Sequence, residues 1–441
     1  MTTAKGKKKV LIVSFYFPPT NSIAAVRVGK FAKYLPEFGW EPIVLTADTA
    51  KDLPQTLPVE TDETNVFRMP YFALASSLYR SVRGNQENSA HSFSQKFSWK
   101  TPIYKAMVLT YPIYTLSILA PLITEPIGWY PHAVKKGREL LNKYDIDAIF
   151  SSYGPSTSHL VACRLHRISG IPWVAEFRDP WALNAYGRKI GFLQFLERRL
   201  EKRVMKGSSL LIGVAEGLSR QLEMLHGKRV ATIHNGFDEQ DYAESVPLTT
   251  KFTITYTGQI YPGKRDPTIL FEALKVLKDE GKISPDNLEV RLFGQNTLAS
   301  FSEAEKYRLG ELVKTHDLVP YKESVRLQQE STVLLLLEWN SPEARDTYTG
   351  KLFEYLAAKR PILAIAYKSG AVDNLLTESG TGIVINNPTM MKDVLSHWLD
   401  EWQKSGRILS HWEPRADVIQ RYTRRGQAGK LAQLLEGVSG Q

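Results

Sequence analysis

Residues Asp346 to Pro361 read D-T-Y-T-G-K-L-F-E-Y-L-A-A-K-R-P. Just upstream, Thr332 to Trp339 (T-V-L-L-L-L-E-W) is a short, nearly unbroken apolar run. Such a run fits a strand buried on both faces of a parallel sheet. Lys351 to Lys359 reads as a helix, with Leu352 and Leu356 on one stripe. Pro361 ends it, and Pro361 to Ala366 (P-I-L-A-I-A) reads as the next buried strand. Strand, loop, helix and strand follow one another, so the loop is expected at the carboxyl edge of the sheet. Open α/β sheets bind ligands there.

The loop has the chemistry of a phosphate site. Thr349-Gly350-Lys351 opens the helix. Its first backbone N–H groups have no partner inside the helix, and Gly350 lets a ligand come close. Glu354 lies one turn in. A carboxylate there suits two adjacent hydroxyls, as on a ribose; its other reading is that it complements the helix dipole. Asp346, across the loop, is placed to reach a sugar.

The two acids resemble the acid-x7-acid signature of retaining nucleotide-sugar glycosyltransferases of the GT-B fold, especially glycosyltransferase family 4. In that family the second acid binds the nucleotide ribose and the first contacts the transferred sugar. Glu354 matches the second. The first is usually Glu, and here it is Asp346, one methylene shorter. A second loop carries the resemblance further: Gly258-Gln259-Ile260-Tyr261-Pro262-Gly263-Lys264-Arg265, between a strand at Phe252 to Thr257 and a helix from about Pro267. The family carries Arg-x4-Lys there, two cations that clamp the donor diphosphate. Lys264 matches the Lys. Gln259 stands at the Arg position without its charge, and Arg265 is the candidate substitute. The plain reading of Lys264 is a lysine on a surface turn.

The chain has 441 residues, enough for two or three domains, and a formal net charge of +10. That balance suits phosphate-rich partners: nucleotide-sugars, anionic lipid headgroups or nucleic acid. The basic residues are not interleaved with aromatics in any recognised module, so nucleic acid is not expected. Cys163 is the only cysteine. It excludes disulfides within the chain, and no Cys/His cluster has zinc spacing. Both point to a reducing compartment. The opening M-T-T-A-K-G-K-K-K runs straight into an apolar strand without a signal-peptide pattern.

The remaining pattern is α/β throughout. A strand at Lys9 to Phe15, a loop to Ser22, a helix to Phe38 and a strand at Glu41 to Thr46 open the chain without G-x-G-x-x-G. This opening resembles that of family 4, where a Gly-Gly pair often fills the loop; Asn21-Ser22 stands in its place. Arg27 has two readings, a phosphate contact or a solvated helix residue. His159, after the loop S-S-Y-G-P-S-T, faces a sugar or packs. Glu176-Phe177-Arg178-Asp179-Pro180-Trp181 resembles a subgroup of the family; Arg178 and Asp179 either pair to set the cleft wall or contact acceptor or donor hydroxyls, the first role favoured for Arg178 and the second for Asp179. Asp145-Ile146-Asp147 spells a metal-site D-x-D but precedes a strand, and reads as a turn. A strand is expected at Leu318 to Tyr321, and a basic amphipathic helix at Val418 to Leu435.

Residues 71–130 interrupt this order. From Ala106 to Thr124 there is no charged residue, and Lys96, Trp99, Lys100, Lys105, Trp129 and Tyr130 flank the run. It is long enough to span a bilayer, but Pro112 and Pro121 interrupt it. A folded core segment and a membrane-dipping element are the other readings.

The resemblance implies two Rossmann-like domains facing across a cleft. These are an acceptor-side domain over 1–238, with the insertion at 71–130, a linker at 239–250 and a nucleotide-sugar domain over 251–415. Residues 416–441 form a C-terminal helix packing back on the first domain. It implies a retaining, metal-independent hexosyltransferase with no cofactor. The expected acceptor is lipid-linked or an oligosaccharide, and the protein peripheral on the cytoplasmic face of the membrane through 100–130. The rival readings are another GT-B enzyme, such as a sugar-nucleotide epimerase, and a non-catalytic phosphate or nucleic-acid binder.

Overall fold

The computed structural model describes residues 7–71, 127–182 and 191–440. The run at 106–124 and its lysine flank lie outside them. The chain divides into two compact units: Met1–Val214, Leu218–Ile233 and Ala428–Gln441 in the first, Ala215–Gly217 and His234–Gln427 in the second.

The first unit is built on seven strands. β1 (Lys8–Val13), α1 (Ile23–Tyr34), β2 (Trp40–Ala47) and β3 (Val66–Met69) open it. α2 (Tyr130–Lys143), β4 (Ala148–Ser152), α3 (Thr157–Ser169), β5 (Trp173–Phe177) and α4 (Gly191–Met205) follow. β6 (Leu210–Gly213), α5 (Glu216–His226) and β7 (Val230–Thr232) end it. The order is β3-β2-β1-β4-β5-β6-β7, and every pairing is parallel. Val10 lies opposite Pro42 on one side and Ala148 on the other. Val10 to Val13 are fully buried, as a strand covered on both faces requires. Each such side chain contributes about 1.5–3 kcal/mol by leaving water. Ser22 caps α1, its hydroxyl oxygen accepting the Ala25 N–H at 3.1 Å.

The second unit repeats the plan with six strands. β8 (Phe252–Thr257), α6 (Thr268–Asp279), β9 (Leu288–Phe293), α7 (Thr297–Lys306) and β10 (Val313–His316) come first. α8 (Tyr321–Glu330), β11 (Val333–Leu337), α9 (Gly350–Ala358), β12 (Ile362–Ile365), α10 (Ala371–Ser379) and β13 (Gly382–Val384) follow. α11 (Pro388–Ser405), α12 (Ala416–Gln420) and α13 (Arg424–Ser439) close the chain. The order is β10-β9-β8-β11-β12-β13, again parallel. The strand order reverses between β8 and β11, so their carboxyl ends open a crevice. Trp398 of α11 is fully buried among Phe252, Leu335 and Leu363 beneath this sheet.

Four expectations need correction. Leu318 is exposed and no strand forms at Leu318 to Tyr321; the edge strand is β10, and Tyr321 starts α8 after Pro320. A four-residue V-K-T-H strand with one buried side chain is too short and polar to show an apolar run. The helix expected at Val418 to Leu435 is two helices, broken at 421–423. Its Ala428, Leu431 and Leu435 pack on Val10 and Phe150 in the first unit. Trp129, read as a membrane flank, is fully buried and meets Phe15 edge-on, with ring centroids 5.5 Å apart. His234 to Asp238, assigned to the first domain, belong to the second unit, where Phe237 packs with Leu334 and Phe353.

Candidate active site

The loops after β8 and β11 meet at the reversal point of the second unit. α9 begins there at Gly350, with Thr349 at its N-cap, and no side chain caps its first turn. Thr349 instead donates its hydroxyl to Glu338 Oε1. The early N–H groups of α9 therefore have no side-chain partner, and anions are favoured at such an end. Glu338 is buried at the end of β11, and burial raises its pKa, with the nearby Arg265 charge opposing. Arg265 Nε lies 3.4 Å from Glu338 Oε2.

Three cations occupy this edge. Besides Arg265, Lys264 is exposed, with its ammonium 4.5 Å from the centre of the Trp339 ring. The Lys351 side chain runs back across Gly258, where a Cβ would overlap its Cε. Burial pushes the Lys351 ammonium down from its usual pKa, against the pull of Glu354 and Glu338. Gly294, at φ +139, passes so close that a Cβ would strike the Gly258 carbonyl. Gly294 is thus required by contact with backbone, which holds the β8 and β9 ends close together. Gln259 is turned aside: its side-chain oxygen accepts the Tyr261 hydroxyl at 2.6 Å.

Glu354 is half-buried one turn into α9. Burial raises its pKa, with Lys351 the largest opposing charge. The Gln328 Nε2 donates to Glu354 Oε2 at 3.3 Å and to Thr257 Oγ1 at 3.0 Å, while the Tyr242 hydroxyl donates to Gln328 Oε1 at 3.0 Å. An ionised carboxylate only accepts, so the amide orientation is fixed by Glu354. Asp346 is exposed on the same loop, after the turn Pro342–Ala344. The sequence reading missed Glu338 and Gln328. Glu338 carried a signal: it is the single charge in an otherwise apolar strand run, at its carboxyl end.

The first unit distributes its candidates differently. Arg27 is neither a phosphate contact nor solvated. It is 1% exposed, donates Nε and Nη2 to Glu176 Oε1 at 2.9 and 2.8 Å, and donates Nη2 to the Ile233 carbonyl at 2.7 Å. Buried charges survive only when paired and hydrogen-bonded, and this pair joins α1 to β5. His159 is fully buried. The Trp173 indole N–H donates to Ser151 Oγ at 2.7 Å, and Ser151 Oγ and His159 Nδ1 share a hydrogen bond of 2.8 Å. Burial, with His226 adding repulsion, lowers the His159 pKa to about 3, so its imidazole is neutral. Ser22 is spent on the α1 cap, and Asn21 donates to Thr56 Oγ1 at 2.8 Å. Asp179 is exposed, while Arg178 Nε donates to the Tyr153 carbonyl at 2.9 Å. Asp147 accepts the Lys9 backbone N–H at 2.7 Å, at the amino end of β1. Among the described residues no group of three or more His, Cys, Asp or Glu side chains is placed to hold a metal ion. No helix among them is long and apolar enough to cross a membrane.

Residues 96–241 match the family model of Glycosyltransferase Family 4. No curated protein matches the chain in sequence. Among solved structures, HepE of Anabaena in complex with UDP and glucose is similar at a TM-score of 0.57 and 15% identity, over 98% of this chain and 100% of that one. Sucrose-phosphate synthase from Thermosynechococcus elongatus gives 0.61 at 11% identity, over 98% and 99%. The lipopolysaccharide outer core galactosyltransferase WaaB gives 0.50 at 11%, over 97% and 99%.

Proposed function

We propose that this chain, which has the GT-B fold of those structures, is a retaining glycosyltransferase that moves a hexose from a nucleotide-sugar to a lipid-linked acceptor. The observation that carries the reading is the cluster at the β8–β11 reversal: Glu354 held by Gln328, beside Lys264, Arg265, Lys351 and the uncapped start of α9. Glu354 accepts the two ribose hydroxyls. The cations and α9 amides face the diphosphate and stabilise the charge that grows on it as the sugar leaves. They supply that charge within the protein, so the transfer needs no metal. Asp346 contacts the sugar. Support for a bound nucleotide-sugar comes from HepE, which was solved with UDP and glucose.

The lipid-linked acceptor and a peripheral place on the cytoplasmic membrane face rest on the uncharged run at 106–124 and the net charge of +10. Cell-surface polysaccharide synthesis is the setting that such an acceptor fits. A thermal-shift screen over nucleotide-sugars tests the donor reading, because a bound donor raises the melting temperature by mass action. One nucleotide-sugar series is expected to shift it, and turnover then to require a polyprenyl-diphosphate sugar. No shift with any donor contradicts the reading. Turnover of donor without acceptor points instead to an epimerase.

A further inference from the structure

The helical face of the first unit holds a second concave site, and none of its lining residues belongs to the donor cluster. It is a pocket of about 630 Å³ between α2, α3 and α4, within the volume range of small-molecule sites. Val134, Leu160, Cys163, Leu200 and Val204 form an apolar floor. Arg138, Arg164, Arg167 and Arg203 form the rim, and no acid lines the pocket. All four arginines are exposed, and none has a hydrogen bond or ion pair to a described residue. Arg164 and Arg167 stand three apart on α3, a spacing at which like charges repel. The Arg167 charge is felt at the floor, where it opposes the burial that pushes up the Cys163 thiol.

Four unmatched guanidiniums around an apolar floor call for a ligand with an anionic head and a hydrocarbon tail. Guanidinium forks fit phosphate oxygens two at a time. We infer that this pocket binds the phosphate head and leading carbons of a phosphate-headed lipid. The inference does not rest on the transferase reading, since no residue of the donor cluster lines the pocket.

Calorimetry on the full chain tests it with decyl phosphate below its micelle concentration, against inorganic phosphate and decyl maltoside. Decyl phosphate is expected to bind at least about tenfold more tightly than either comparator, as one charge-assisted hydrogen bond implies. Arg164→Gln with Arg167→Gln is expected to lose about tenfold or more of that affinity, and Leu160→Gln with Leu200→Gln a similar amount. The arginine pair should keep the parent's melting temperature, and both pairs the parent's response to nucleotide-sugar. Sedimentation with phosphatidylglycerol vesicles then identifies the source. Binding that the arginine pair abolishes names a bilayer phospholipid; binding to decyl phosphate alone names a free lipid phosphate. Equal affinity for inorganic phosphate or for decyl maltoside, or an arginine pair that binds like the parent, overturns the inference.

Discussion

Gln328 Nε2 and Glu354 Oε2 are joined by a hydrogen bond of 3.3 Å that ties α8 to α9. Glu354 is therefore oriented as an acceptor although burial disfavours its charge. The two effects act oppositely on stability and on binding, and pH separates them.

Burial raises the Glu354 pKa above its ordinary 4.5. The folded state thus favours the protonated carboxyl. That contribution is present in full below about pH 4.5 and is lost as pH rises through the folded pKa. Glu354→Gln, which is neutral at every pH, is expected to melt above the parent at pH 7, with the gap closing towards pH 4.5. Donor affinity of the parent is expected to fall on acidification from above 4.5, and that of Glu354→Gln to be low and flat. Melting curves and calorimetry across this range check both. A parent that melts above the variant at pH 7 contradicts the account.

Arg27→Met leaves Glu176 as a buried charge without its partner. Breaking such a pair costs roughly 3–5 kcal/mol, equivalent to a fall of about 10 °C in melting of the first unit. Donor affinity is expected to stay within about twofold of the parent, below the effect of one lost hydrogen bond. A variant that melts like the parent but binds donor poorly would return Arg27 to the phosphate.

Arg27 also shows where sequence reading stops. Its partner Glu176 lies 149 residues away, and a charge on an amphipathic helix gives no sign that such a partner exists. The apolar runs of β1, β11 and β12 were legible because strands buried on both faces are nearly continuous in apolar residues. The α9 start was legible from Thr349-Gly350 and Pro361, which mark helix ends. Gln328 was not, because an amide on a mostly polar helix looks like any solvated residue. Ser22 was read as a ligand-loop residue, but capping α1 is the commoner use of serine before a helix.

Lys264 and Arg265 divide the work expected of one clamp. Arg265 is tethered to Glu338, whereas Lys264 rests only over Trp339. Lys264→Ala is expected to lower kcat by about 10²-fold with little change in melting, since its charge acts most as the diphosphate leaves. Arg265→Ala is expected to lower both kcat and stability, because Glu338 then loses its opposing charge. Steady-state kinetics with the identified donor separates them. A Lys264→Ala rate within a few-fold of the parent assigns the clamp to Arg265 and Lys351.

Under the proposed mechanism activity is expected to survive exhaustive chelation, because that mechanism gives these cations the charge-stabilising role a divalent ion would otherwise fill. Loss of turnover that magnesium or manganese restores would overturn the metal-free mechanism.

The most direct test of the account is the affinity of Glu354→Ala for nucleotide and nucleotide-sugar, measured by calorimetry beside the parent. The variant is expected to fold, and to bind both ligands more weakly by about 1–3 kcal/mol, roughly 5- to 150-fold, as loss of hydrogen bonds to a charged group implies. Equal affinity of variant and parent for both ligands would remove Glu354 from the ribose, and with it the placement of the donor at the β8–β11 edge.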